Sequence, residues 1–244
     1  MNIIQLVKYD MYSMLRSPLT YLAIILGLSP ASIIYFTSQQ EGVKGMIDVN
    51  TYLSMFTWIY AFIGILFIIK TLTRDVGQGT IQLFLNSKRH RINYIVAKTL
   101  SVICIAIIMT AIIIAFTSVA QNIMDIGTVK TEKYVSLLWF VLILHLFFGT
   151  LLNIITSVVP KPALIYAIGI FLIFIVPFIT PLIGIIPKIG SDIIDALKYV
   201  PFSYLTEKMA GGPYTFTNWQ WFISGASIAV FFVGNIVYTL KKDI

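Results

Sequence analysis

Residues 70–98 read KTLTRDVGQGTIQLFLNSKRHRINYIVAK and hold the densest basic cluster of the chain. Six cations, Lys70, Arg74, Lys88, Arg89, Arg91 and Lys98, stand against one acid, Asp75. A long apolar run lies on either side. Charges at bilayer depth are costly, so a charged stretch between two spans belongs at or outside the lipid boundary. Short loops rich in Lys and Arg mark the cytoplasmic side. The stretch therefore predicts a cytoplasmic loop over 70–93, with the third span taking over near Tyr94. Gly77 and Gly79 predict a break in the helix. Thr80 to Leu85 then forms a short amphipathic turn, whose Ile81, Leu83, Phe84 and Leu85 offer apolar surface to a partner's groove. The same charges also suit a plain anchor at the lipid headgroups.

Composition agrees with a membrane location. The 244 residues are 58% hydrophobic and 11% charged, where a soluble domain carries about 25% charged residues. Mean hydropathy is +0.91. A single transmembrane domain over 1–244 accounts for the length. The lone Cys104 has no cysteine partner for a disulfide or a thiolate zinc site and reads as a packing residue.

Outward from residues 70–98, the apolar runs predict an all-α integral membrane protein with six transmembrane helices. Each run is near the roughly 20 residues a bilayer core requires. The spans fall at about 19–36, 52–69, 94–119, 134–159, 163–186 and 219–240. Residues 1–16 lack the unbroken apolar core of a signal peptide. They predict an interfacial amphipathic helix, with Ile3, Val7, Met11 and Met14 on one face and Gln5, Tyr9, Tyr12 and Arg16 on another. Ser17-Pro18 supplies an N-cap and a first-turn proline, so a new helix starts there. Pro30 predicts a kink in the first span. Residues 187–218 are too polar to span. Apolar Ile193, Ile194 and Leu197 interleave with Asp192, Asp195 and Lys198, predicting an extracellular amphipathic or re-entrant element between spans five and six, broken by Pro201, Gly211, Gly212 and Pro213.

Six spans put both termini on one side. That side, with the 70–98 stretch and Lys161, carries 11 of the 17 basic residues and three of the ten acids. The bias predicts cytoplasmic termini. The net charge of +7 is thus a topology signal and no footprint of nucleic acid.

The residues of this loop also resemble a family pattern. Type-2 ATP-binding-cassette (ABC) permeases carry an acid, three residues, then Gly-Thr and an apolar residue. A basic residue follows, and Gly-Lys opens the next span. The chain has Asp75, Gly79, Thr80 and Ile81, then Arg91, then Ala97-Lys98. Asp75 stands where Glu is usual and Ala97 where Gly is usual, and a Pro common before the basic residue is absent. The N-terminal interfacial helix and the element between spans five and six resemble the same family. The resemblance implies that the loop docks on a separate ABC ATPase subunit, with Arg74, Asp75, Gly79, Thr80, Ile81, Leu83, Phe84 and Arg91 as the coupling residues and Asp75 paired with a base on the ATPase. It implies a second permease subunit, identical or related, with ATP and Mg bound by the ATPase. Small stand-alone subunits of this kind are similar to exporters of amphipathic peptides in bacteria. These include the staphylococcal phenol-soluble modulin exporters and bacteriocin-immunity permeases. The usage of Ile, Lys and Asn fits a low-GC bacterium, and hence a bacterial cytoplasmic membrane.

The chemistry missing from the sequence narrows the field. No Gly, four residues, Gly-Lys-Ser/Thr phosphate loop occurs. His90 and His145 have no ligand-spaced neighbours, so no metal site is expected. No serine in a span has a plausible base partner. No span carries an Asp, Glu, Lys or Arg at its centre, which disfavours ion-coupled transport and suits hydrophobic or amphipathic cargo such as toxin or antimicrobial peptides. His145 and Asn153 are eight residues apart and share a helix face. They are candidates to line a pathway, or simply to pack helices together. Aromatics of the second span, Tyr52, Phe56, Tyr60 and Phe62 among them, line an apolar conduit or fill the core. The rival functions are a non-transporting anchor or assembly protein with a lipid-binding loop, and a membrane-embedded enzyme.

Overall fold

The computed structural model describes residues 2–38, 48–80, 86–124, 127–186, 190–211 and 213–241. The apolar patch of Ile81, Leu83, Phe84 and Leu85 lies outside the described residues, as does Gly212. Among the described residues regular structure is wholly helical. The helices are α1 (Ile3–Leu15), α2 (Pro18–Ser38), α3 (Val49–Gly77), α4 (Lys88–Met124), α5 (Thr131–Val158), α6 (Pro162–Gly184), α7 (Gly190–Leu197), α8 (Pro201–Met209) and α9 (Asn218–Lys241).

Four of these, α3, α4, α5 and α9, are long and apolar enough to cross a membrane. A fifth is reached if α1 and the first part of α2 are counted as one bent span, their axes meeting at 56°. The bend falls where the sequence predicts a new helix. Ser17 Oγ accepts the Leu19 N–H at 3.2 Å, and Pro18 is the first residue of α2. Pro30 does not end that helix, which continues to Ser38.

The centre of the bundle is α3. Leu53, Phe56, Ile65, Ile68 and Ile69 are wholly buried, and α4, α5 and α6 pack around it. A helix apolar on every side must be enclosed by others. Two-thirds of the apolar window of α3 is buried, against 17% for α9, so α9 stands at the edge of the chain, mainly against α5. The aromatics of α3 are core residues. Phe56 stacks on Phe116 at 5.3 Å and Tyr60 on Phe116 at 5.7 Å, while Trp58 is exposed. Small residues allow the helices to approach closely. A Cβ on Gly64 of α3 would lie 2.0 Å from His145 Nε2 of α5.

One expectation changes. The described part of the 70–98 stretch is mostly helix: α3 runs through to Gly77 and α4 begins at Lys88, with residues 78–87 as the link between them in sequence. Hydropathy marks where a chain leaves lipid, not where its helix stops. At 37 residues, α4 is about 55 Å long, far beyond a bilayer core of ~30 Å. Among the described residues of 187–218 there are two short helices, and the break expected at Pro201 falls between them, with Pro201 the first residue of the second. Proline lacks an N–H, which costs nothing in a first helical turn.

Candidate functional site at the charged end of the bundle

The charged residues of α1, α3 and α4 converge on one buried cluster. Asp10 of α1 is 1% exposed and Lys98 of α4 fully buried. Lys98 Nζ donates to Asp10 Oδ1 at 3.1 Å, to Asp75 Oδ2 at 2.7 Å and to the Thr71 carbonyl at 3.0 Å. The Arg74 guanidinium bridges the same two acids, at 2.8 Å to Asp10 and 2.8 Å to Asp75. Ser101 donates to Asp10 Oδ2 at 2.7 Å and Tyr94 to Asp75 Oδ2 at 3.0 Å. The Tyr9 ring covers the Arg74 guanidinium at 4.3 Å. Two acids and two bases thus balance in a dry site. Burying one such ion alone is prohibitive, and a matched, hydrogen-bonded set is what makes it tolerable.

Local sequence explains the convergence. In α1 the buried line is Leu6, Asp10 and Met14, at i, i+4 and i+8, with Ile3, Val7 and Met11 half-buried at its margin. The expected apolar face is therefore rotated so that the only acid of α1 lies at its centre. Lys98 lies about three turns into α4, which sets it beside the last turn of α3. Lys70 Nζ donates to Ser17 Oγ, tying α3 to the α1–α2 junction.

The coupling residues expected from the sequence fall in different surroundings. Arg74 and Asp75 face inward, and the pairing expected with a base on another subunit is made by Lys98 of the same chain. Gly79 follows the end of α3 with φ of 68°, a conformation that favours glycine. Among the described residues nothing lies within 4 Å of where its Cβ would be. The Thr80 N–H donates to the Asp75 carbonyl at 3.0 Å, closing the turn. Arg91 is half-buried, and its guanidinium donates to the carbonyls of Thr239 and Leu240 at 3.0 and 3.4 Å, capping the last turn of α9. Lys88 and Arg89 are exposed. The remaining three, Ile81, Leu83 and Phe84, lie outside the described residues. Sequence reasoning missed Asp10 and Lys98 as partners. The signal was present in Asp10, an acid spaced at helical intervals between apolar Leu6 and Met14.

His145 and Asn153 are both buried but meet different surroundings. His145 Nδ1 donates to the Val141 carbonyl at 2.7 Å, and Nε2 abuts Gly64 with no polar partner among the described residues. Asn153 borders a narrow gap beside Lys98, Thr99 and Val102. At the opposite end, Lys208 Nζ donates to the carbonyls of Pro213 and Thr215 at 3.0 and 2.7 Å, and burial pulls its pKa down. Close by is a concavity of about 470 Å³ between Lys130, Lys133, Asn50 and residues 213–215. Tyr204 OH and Ser224 Oγ, 2.6 Å apart, fasten α8 to α9.

The helices and their charged end describe a multi-pass membrane protein in which α3 and α4 are paired at one end through buried charges. Residues 10–243 match the family described as ABC-2 family transporter protein. The chain belongs to that family, whose members are the transmembrane permease components of ABC transporters and work with an ATPase on a separate subunit. No curated protein matches the chain.

Proposed function

We propose that this chain is the membrane half of a bacterial ABC exporter, moving hydrophobic or amphipathic peptides outward. Its six spans are α2, α3, α4, α5, α6 and α9, with both termini in the cytoplasm and α7–α8 outside. Two permease subunits, identical or related, pair with two ATPase subunits, which bind ATP and Mg. Cargo of the phenol-soluble modulin kind fits this reading.

The observation that carries the proposal is the link 78–87. It joins two helices whose ends are bonded to each other through Asp75, Lys98 and Arg74. A force on the link is therefore delivered to α3 and α4 together. Leu83 and Phe84 supply the surface that enters the ATPase, Gly79 and Thr80 shape the turn that presents it, and Arg74 and Asp75 hold its base. Among the described residues, buried Asp, Glu, Lys and Arg side chains are confined to the two ends of the bundle, at the Asp10 cluster and Lys208. The apolar middle suits amphipathic cargo better than ions. The anchor reading has less support, because it needs basic side chains free for lipid and two of the six in this stretch are spent inside the cluster.

Co-purification tests the proposal. The tagged chain, extracted in mild detergent, is expected to bring an ABC ATPase with it, and the complex to hydrolyse ATP. Leu83→Glu with Phe84→Glu is expected to remove the ATPase while the spans stay folded. An ATPase that stays bound and fully coupled in this double variant would overturn the docking assignment. Export is read by ATP-dependent uptake of a labelled amphipathic peptide into inverted vesicles.

A further inference from the structure

The interfacial helix is held by more than its apolar face. Its buried line has two anchorages. One is the four-charge cluster, in which Asp10 receives hydrogen bonds from Arg74, Lys98 and Ser101. The other is a small apolar group, Leu6 with Tyr94 and Ala97, separate from the main core of the bundle. Both anchorages reach α4 within its first four turns, between Tyr94 and Ser101. On the other side of the link, Arg74 and Asp75 belong to the last turn of α3. A third tie, Lys70 to Ser17, fixes the bend at which α1 turns into α2. Among the described residues the bonds of the cluster named above join α1, α3 and α4, and Asn153 and Thr150 of α5 border a narrow gap together with Lys98 and Thr99.

We propose that Asp10 and Lys98 are positioning residues that lock the interfacial helix to both ends of the link, so that α1 and the adjoining ends of α3 and α4 move as one piece. The bend at Ser17 then passes that movement into α2, which follows α1 directly in the chain. The cluster is suited to this role because its bonds are mutual. Asp10 touches both cations, both cations touch Asp75, and none can shift alone without leaving a buried charge unmatched. The proposal rests on the reading of the chain as a permease driven by a separate ATPase, but the clamp itself can be examined without that subunit.

The first measurement is hydrogen exchange on the full-length permease in lipid nanodiscs. Asp10→Asn, and separately Lys98→Met, are expected to accelerate exchange of the α1 amides by about tenfold or more while α5 keeps its rate, as for a local opening. Unchanged α1 exchange in both variants would overturn the clamp. Acceleration spread equally over α5 would do the same, since it marks general destabilisation. A second variant covers a failure to fold. Leu6→Cys with Ala97→Cys, in a Cys104→Ser background, leaves the four charges in place and can be oxidised to tie α1 to α4 across the small apolar group in which the two helices meet. In complex with the ATPase, the oxidised form is expected to keep its cargo-stimulated hydrolysis, because parts that travel together lose nothing by being joined. Loss of stimulation on oxidation, restored by reduction, would show that α1 and α4 separate during the cycle and would overturn the proposal. If no ATPase binds at all, the proposed function fails, and the exchange data still decide on the clamp.

Discussion

An acid with 1% of its surface exposed, as Asp10 has, keeps its charge only where cations and hydroxyls surround it. Asp10→Ala would leave Lys98 and Arg74 facing one carboxylate in a dry site. Removing one member of a buried ionic set costs about 3–5 kcal/mol, so the variant is expected to show a clearly lower unfolding temperature in detergent. Ser101→Ala, which removes one neutral donor, should cost far less, about 1 kcal/mol. A second residue-scale expectation concerns Asp48, the N-cap of α3. Its carboxylate accepts from the Thr51 hydroxyl and N–H at 2.6 and 2.8 Å, and these bonds, with one from Asn50, lower its pKa from 3.8 to about 2. The depressed value means that the cap is fully present above about pH 4 and is lost as pH falls through 2. Hydrogen exchange in the first turn of α3 is expected to quicken over that window, and Asp48→Ala should abolish the pH dependence.

Helix packing carries the expectations at the scale of elements. His145 fills the space beside Gly64, where a Cβ would stand 2.0 Å from its Nε2. Gly64→Ala is therefore expected to push α3 and α5 apart at a cost of about 1–3 kcal/mol, read as a lower midpoint of thermal unfolding. His145→Ala combined with Gly64→Ala should recover part of the loss, and no recovery would mean that the strain lies elsewhere. At this scale the sequence was legible where periodicity and apolar length act together. α3, α4, α5 and α9, and the Ser17-Pro18 start of α2, stand where they were expected. The ends of helices were not legible from hydropathy, because α3 and α4 continue as helices past their apolar runs. The inward turn of Arg74 and Asp75 was hidden for another reason. The partner of Asp75 is 23 positions further on and that of Arg74 lies in α1, and spacing along one helix does not report contacts between helices. Arg91 was singled out from the family pattern, whereas its contact with the last turn of α9 depends on a neighbour almost at the other end of the chain.

For the whole molecule the testable matter is sidedness. The proposed topology is checked by single cysteines in a Cys104→Ser background. Lys198→Cys in intact cells is expected to react with a membrane-impermeant maleimide, and Arg89→Cys only after the membrane is opened. The reverse pattern would invert the protein and with it the direction of transport. Both positions are exposed, Lys198 pairing with Asp195 at the surface, so labelling reports access and not folding.

The sealed cluster also has a consequence for the choice of buffer. Dissolved salt weakens attractions between charges that water can reach, over a distance of about 8 Å at physiological strength, and leaves buried pairs nearly untouched. Asp10, Asp75, Lys98 and Arg74 are buried, while Lys88 and Arg89 at the start of α4 are open to solvent. Raising the potassium chloride concentration should thus loosen whatever is held by the outer cations and spare the grip inside the chain. A salt titration alone, with no substitution made, would tell attachment between subunits from attachment within one.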